Sequence, residues 1–186
     1  PASFAPGELL RSLVMTLQGE TAESGARLTV AISPEVPERL VGDTGRIQQI
    51  LINYVANALK YAGGHIRLSA AIRPNAPGEV EFSVRDSGAG ISPADQATLF
   101  NKFTRLKSAR EGDIPGTGLG LASCRLLADI MGGAVGVVSK PGEGARFFLR
   151  LPVTVATETA DAPLAIPNPT VLLVEDTDYN AKAAQV

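Results

Sequence analysis

Cysteine occurs once in this chain of 186 residues, histidine occurs once, and neither sign of charge prevails. The single thiol, Cys124, cannot close an internal disulfide, which fits a reducing compartment. With 17 basic against 19 acidic side chains, the net charge of -2 supplies no broad positive field for nucleic-acid phosphates. Any anion this protein holds is therefore held locally, and nucleic acid is not expected as a partner. No apolar run approaches the roughly 20 residues that span a bilayer, and Pro1-Ala2-Ser3-Phe4 lacks the charged-then-apolar pattern of a secretory signal. The chain is expected to be soluble and cytoplasmic, with no direct membrane contact. Because it starts without methionine and stops at Val186 in mid-pattern, it reads as a piece of a longer protein whose other parts can be membrane-bound.

What is present suits one core with a tail. Hydrophobic residues at 45% and charged residues at 19% are close to globular averages, so disordered, collagenous and coiled-coil classes are excluded. Leu9, Leu10, Leu13, Val14 and Leu17 recur at helical spacing between Pro6 and Leu17, and the stretch from Gly19 to Gly25 is expected to loosen that helix. Leu28 to Ile32 alternates like a short strand. Asp43 is a good N-cap for a long helix from Thr44 to Ala62, closed by Gly63-Gly64. Ile66 to Ile72 and Glu79 to Arg85 read as strands, the second with Val80, Phe82 and Val84 on one face. Ser92-Pro93 opens a short helix toward Phe103, a polar stretch runs from Thr104 to Pro115, and a further helix spans about Leu119 to Met131. Ala134 to Ser139 and Ala145 to Leu151 form a final hairpin. The expected fold is a two-layer α/β sandwich, a mixed sheet with helices on one face.

Composition shifts after Leu151. Residues 153–169, just past Pro152, are rich in Ala, Thr and Pro and contain no lysine or arginine, the composition of an extended linker. Val171-Leu172-Leu173-Val174 is then a continuous apolar run typical of a buried parallel strand, with Glu175-Asp176 at its carboxyl end.

Three segments can carry chemistry. At about 100° per residue, Arg46, Gln49, Asn53, Asn57 and Lys60 fall within roughly 80° of helical arc beside an apolar face. Asn53 and Asn57, one turn apart, can point carbonyl oxygens at one cation, and Lys60 can meet a phosphate. Taken alone, the stripe reads more readily as a solvated helix face. Asp86-Ser87-Gly88-Ala89-Gly90 ends a strand in a carboxylate and then removes side chains, so that a flat ligand can approach the backbone closely. A buried carboxylate there can accept from an exocyclic amine, although the same pattern is also a common turn. Gly116-Thr117-Gly118-Leu119-Gly120 leads into a helix, where bare N–H groups and the helix dipole suit a phosphate. No strand immediately precedes it and no acidic residue ends a strand about 20 residues on, so it does not read as a dinucleotide fingerprint.

In this order, and with Leu99-Phe100-Asn101-Lys102-Phe103 between the glycine stretches, residues 6 to 152 resemble the ATP-binding catalytic domain of sensor histidine kinases. Asn53 to Ala62 is similar to the asparagine box, Asp86 to Gly90 to the first glycine box, Phe100 and Phe103 to the phenylalanine box, and Gly116 to Gly120 to the second. The resemblance implies a Bergerat-type sandwich with ATP and Mg2+ as cofactors. By it, Asn57 is the main magnesium ligand with Asn53 assisting, Lys60 reaches phosphate, Tyr61 lies beside the adenine and Asp86 reads its amine. Gly88, Gly90, Ile91, Phe100, Phe103, Gly116, Thr117, Gly118, Leu119 and Gly120 complete the nucleotide site. Residues 104 to 115 become a flexible lid whose Arg105, Lys107 and Arg110 supply cations.

The resemblance also implies partners. Val171 to Asp176 is similar to the first strand of a receiver domain, with Glu175 and Asp176 as its acidic pair, so residues 170–186 are expected to begin a receiver and the parent to be a hybrid kinase. A receiver domain or response regulator and a histidine-bearing dimerisation domain of the same protein are the implied partners. His65 has no acidic neighbour after it and no amphipathic helix around it, unlike the phosphoacceptor of these kinases, and is expected to have no catalytic role. Gyrase-like, MutL-like and Hsp90-like relatives place a water-activating glutamate where Asn53 stands, and an amide cannot be that base. Transfer to a protein histidine is the reading this favours over ATP hydrolysis or a non-catalytic nucleotide-sensing or second-messenger-binding module.

Overall fold

In the computed structural model the chain divides into two compact units, Pro1–Ala156 and Thr157–Val186. The structure describes residues 1–62, 64–104 and 118–155. Arg105, Lys107, Arg110, Gly116 and Thr117 lie outside the described residues, as do residues 156–169 of the expected linker and the receiver-like segment.

The first unit runs β1 (Ala2–Phe4), α1 (Pro6–Thr16), α2 (Gln18–Ser24), β2 (Arg27–Ile32), β3 (Leu40–Gly42), α3 (Thr44–Tyr61), β4 (His65–Arg73), β5 (Ala76–Arg85), α4 (Pro93–Gln96), α5 (Gly120–Ile130), β6 (Ala134–Ser139) and β7 (Ala145–Pro152). Pro6 sits in the first turn of α1, where its missing N–H costs nothing. The Gly19 to Gly25 stretch does not loosen the chain: it forms α2, because Thr21 is buried against the core and Gly25, at φ 67°, supplies the left-handed cap. Asp43 caps α3 by accepting from the Arg46 N–H at 3.0 Å. The helix beginning at Ser92 stops after one turn, at Gln96.

Five strands form one sheet in the order β2-β4-β5-β7-β6. β2 is parallel to β4 and the other pairs are antiparallel, so the sheet is mixed as expected. Alternation sends Ile66, Leu68 and Ala70 of β4, Val80, Phe82 and Val84 of β5, and Phe147, Leu149 and Leu151 of β7 into the core. Helices α1, α3 and α5 cover that face, and α3 contributes Ile47, Ile50, Leu51, Tyr54, Val55 and Ala58.

The other face carries charge and hydroxyls. Ser69 and Ser83 share a hydrogen bond of 2.9 Å, and Glu81 pairs with Arg146 and Arg150. Phe148 also points this way, yet is buried. The Arg150 guanidinium lies 3.9 Å from its ring centroid, and the ring covers Gly136, where an added Cβ would fall 2.3 Å from it.

A second, smaller sheet went unpredicted. β1 and β3 pair antiparallel, Ser3 opposite Val41, and the chain leaving β7 joins them. Val41 N–H donates to the Thr154 carbonyl at 2.8 Å, and Leu40 bridges Val155.

Two buried groups lock α3 and α5 to this core. The Tyr54 hydroxyl donates to the Phe148 carbonyl at 3.1 Å. Burial, and secondarily the neighbouring Cys124, pushes the phenol well above its ordinary range. Burial likewise pushes the Cys124 thiol up to about 12, so it stays neutral at pH 8. Tyr54→Phe, which removes the donor and keeps the ring, is expected to cost about 1 kcal/mol in urea unfolding; unchanged stability would show that the carbonyl does not depend on it. In the native chain Cys124 is expected to resist an aromatic disulfide reagent at pH 8 and to react on unfolding; prompt native labelling would contradict its burial.

Candidate functional site

β5 ends at Arg85, and the next residue, Asp86, is 8% exposed. Its position follows from pairing with β7: the Asp86 N–H donates to the Ala145 carbonyl at 2.9 Å, one step beyond the Arg85–Arg146 pair. Its Oδ1 accepts from the N–H groups of Gly88 at 2.9 Å and Ala145 at 3.1 Å. Oδ2 has no hydrogen-bond partner among the described residues. One oxygen of this carboxylate is thus spent on the fold and the other remains an acceptor.

The loop that follows is shaped by close approach. A Cβ added at Gly88 would lie 2.6 Å from the Ala62 Cβ, so the loop packs directly on the end of α3. Gly90, at φ 75°, passes so near the Lys140 carbonyl that a Cβ would lie 2.0 Å from its oxygen. Ile91 is buried at the end of the loop.

The polar stripe of α3 runs up to this loop. Asn53 Nδ2 donates to the Gln49 carbonyl at 3.0 Å, which turns the amide so that Oδ1 stays an acceptor. A Cβ added at Gly120 would lie 2.8 Å from that Oδ1, placing the first residue of α5 against the stripe. Asn57 is half-buried one turn on. In the last turn the Lys60 ammonium lies 5.2 Å from the Tyr61 ring centroid, and Tyr61 is 42% exposed. Amide oxygens of this kind suit a hard cation, and the described residues contain no cluster of three or more His, Cys, Asp or Glu. Such a donor set matches a magnesium ion completed by a ligand's own oxygens rather than by a protein cage.

The second glycine segment and the phenylalanines are placed differently. α5 starts at Gly120 with Leu119 before it and no side-chain cap among the described residues, and the dipole at its N-terminus favours an anion. Gly118, at φ 70°, abuts the Phe103 and Thr104 backbone, and the Phe103 N–H donates to the Gly118 carbonyl at 3.1 Å. Residues 103 and 118 therefore form a neck across which the chain leaves and returns. Phe103 is the one non-glycine with positive φ among the described residues, at 61°, and its ring is 72% exposed. Phe100 is instead a core residue, its ring edge-on to Phe147 at 6.4 Å. His65, the first residue of β4, is exposed on the far face of the sheet, its Nε2 3.0 Å from Thr29 Oγ1.

Sequence reasoning missed the turn opposite the loop. Gly144, at φ 74°, would put a Cβ 2.2 Å from the Asp86 carbonyl oxygen. The signal available was Gly142-Glu143-Gly144, which lies between the two strands of the expected hairpin.

The comparisons fit this geometry. Residues 42–155 match the model of the family described as histidine kinase-, DNA gyrase B-, and HSP90-like ATPase. The chain is 37% identical over 179 residues to the sensor protein TorS of Escherichia coli strain K12, covering 93% of this chain and 19% of that one. It is 34% identical over 145 residues to the signal transduction histidine-protein kinase BarA of the same strain, covering 76% and 16%. It thus spans about a fifth or less of these relatives' lengths. The solved structure of full-length ShkA in complex with AMPPNP superposes with a TM-score of 0.73 at 35% identity, covering 83% of this chain and 31% of that one. The nucleotide-free catalytic domain of the histidine kinase ThkA does so at 0.66 and 26%, covering 81% and 96%. On its matched domain and its fold, the chain belongs to the family of histidine kinase-, DNA gyrase B-, and HSP90-like ATPases.

Proposed function

We propose that this chain is the ATP-binding catalytic module of a hybrid sensor histidine kinase, which transfers the γ-phosphoryl group of ATP to a histidine on a separate dimerisation segment. The observation that carries the reading is the Asp86 carboxylate, buried beside a loop bared of side chains, with Oδ1 held by two backbone N–H groups and Oδ2 unpaired among the described residues. An acceptor held in that way suits the exocyclic amine of adenine. The AMPPNP in the ShkA structure is an ATP analogue, which supports the same class of ligand here.

The remaining roles follow the layout. The stripe of Asn53, Asn57 and Lys60 runs from the first turn of α5 toward the end of α3, so a triphosphate leaving an adenine at Asp86 would pass along it. Asn57, with Asn53 assisting, would hold Mg2+, which when bound neutralises phosphate charge and aligns the transferring group. Lys60 would contact phosphate, Tyr61 would flank the base, and Gly88, Gly90, Ile91 and Gly118 to Gly120 would line the nucleotide. Phe100 acts from the core, by fixing the segment that leads to Phe103. Arg105, Gly116 and Thr117 enter as residues of the resemblance alone. Asn53 carries an amide in place of a base, which favours transfer to a protein nucleophile over hydrolysis. Residues 153–169 are proposed as a linker, 170–186 as the start of a receiver domain, and that receiver or a response regulator as the onward partner. No helix among the described residues is long and apolar enough to cross a membrane.

Incubation with labelled ATP and a separately supplied histidine-bearing dimerisation segment tests the function: acid-labile phosphate is expected on that segment and none on His65. Asp86→Asn keeps an oxygen for Gly88 and Ala145 but turns the free acceptor into a donor facing a donor. Calorimetric titration is expected to show ATP binding weakened about ten- to hundredfold with the fold intact; equal affinities would confine Asp86 to the turn.

Asn57→Ala is expected to lower phosphotransfer at least about 100-fold while ADP still binds, since charge neutralisation and alignment are lost together. Full transfer in excess magnesium would return the polar stripe to a solvated face. Asn53→Glu, which places a base one turn from Asn57, is expected to raise ATP hydrolysis above wild type.

A further inference from the structure

The segment from Asp86 to Ile91 makes almost none of its polar contacts with α3. Its hydrogen bonds run to the β6–β7 turn and to one side chain on α4. Asp86 N–H meets the Ala145 carbonyl, and the Ala89 carbonyl accepts from Gly142 N–H at 2.7 Å. Ile91 N–H donates to Ser139 Oγ at 2.8 Å. That hydroxyl donates in turn to the Gly144 carbonyl at 2.6 Å. Gln96 then closes the ring of contacts: Nε2 donates to the Ile91 carbonyl at 2.7 Å and to the Ser139 carbonyl at 2.9 Å.

The orientation of the Gln96 amide is forced, because the flipped form would set its oxygen against two carbonyl oxygens. Both of its protons are spent on holding the end of the loop to the end of β6. Ser139 uses its hydroxyl in both directions, as acceptor from the loop and donor to the turn. Neither side chain is a ligand in the proposed site, and they lie in segments that sequence patterns present as a hairpin strand and a short helix.

From this network we infer that Gln96 and Ser139 are positioning residues of the nucleotide site, which hold the Asp86–Ile91 loop in its binding shape before any ligand arrives. The inference rests on the nucleotide reading given above. A loop left to find that shape on binding must lose backbone freedom at that moment, and affinity falls by the ordering cost. The phosphate half of the site is built on α3 and α5 and does not share these bonds. Loss of either side chain therefore weakens ATP and ADP by the same factor.

The test uses the whole 186-residue chain, with ATP and ADP titrated calorimetrically against wild type, Gln96→Ala, Ser139→Ala and Gln96→Glu. Each alanine variant is expected to bind both nucleotides about tenfold more weakly, by equal factors, with a melting temperature within a few degrees of wild type. Gln96→Glu nearly preserves the shape but at neutral pH sets an acceptor against both carbonyls, and it is expected to bind no better than Gln96→Ala. Because both residues hold Ile91, the double alanine variant should lose less than the product of the two single losses. Affinities within twofold of wild type, a loss confined to ATP, or full binding by Gln96→Glu would overturn the inference while leaving the nucleotide reading standing. Failure of the wild-type chain to bind either nucleotide would overturn both.

Discussion

A carboxylate taken out of water must find donors inside the protein or it destabilises whatever buries it. At Asp86 those donors are backbone N–H groups from two places far apart in the chain, Gly88 in the following loop and Ala145 at the start of β7. Satisfying them dictates much else. The end of β5 has to stay paired with β7, the turn before Ala145 has to come within touching distance of the Asp86 backbone, and Gly144 has to be glycine for that approach. The charged acceptor and the fold around it are one construction, so the same contacts that stabilise the sheet end also set where a ligand's donor must lie.

Helix α3 couples the two remaining demands. One face is fully apolar and sits on the sheet, fixed in rotation by the Tyr54 hydroxyl on the Phe148 carbonyl. A helix whose core face is fixed has its other faces fixed too, and the Asn53–Asn57–Lys60 stripe lies a fixed angle round from Tyr54. Rotation of α3 by even a fraction of a turn would bury the stripe or lose it to solvent. Gly120 meets the stripe at the Asn53 amide, so a larger residue there would displace that side chain.

Legibility in the sequence followed period length. The long helix and the five longer strands, two of them in the final hairpin, were readable because each repeats its pattern several times, and Val80, Phe82 and Val84 all proved to be core positions. β1 and β3, three residues each, contain too few alternations to register, and their pairing joins residues about 40 apart. α2 was hidden by Gly19, whose low helix propensity is overridden by the burial of Thr21 and the left-handed cap at Gly25. At the site, the residue types and their order were visible, whereas their supports were not. Gln96 and Ser139 are ordinary polar residues in sequence, and only the folded hairpin brings them to Ile91. Phe100 was legible as an aromatic next to glycine loops, but its packing on Phe147 depends on a residue 47 positions later.

The small sheet of β1, β3 and residues 153–155 has a mechanical meaning. The first and last described segments of this unit lie on the two sides of one short central strand, Ser3 and Val155 both hydrogen-bonded or bridged to neighbours in Leu40–Gly42. Tension applied to either segment is carried by the few backbone hydrogen bonds of this small sheet and, through the Val153 N–H on the Gly78 carbonyl at 2.8 Å, by the five-stranded sheet as well. The segments that open and close the described part of this unit are thus held side by side on one strand, so that displacing one strains the backbone hydrogen bonds that hold the other.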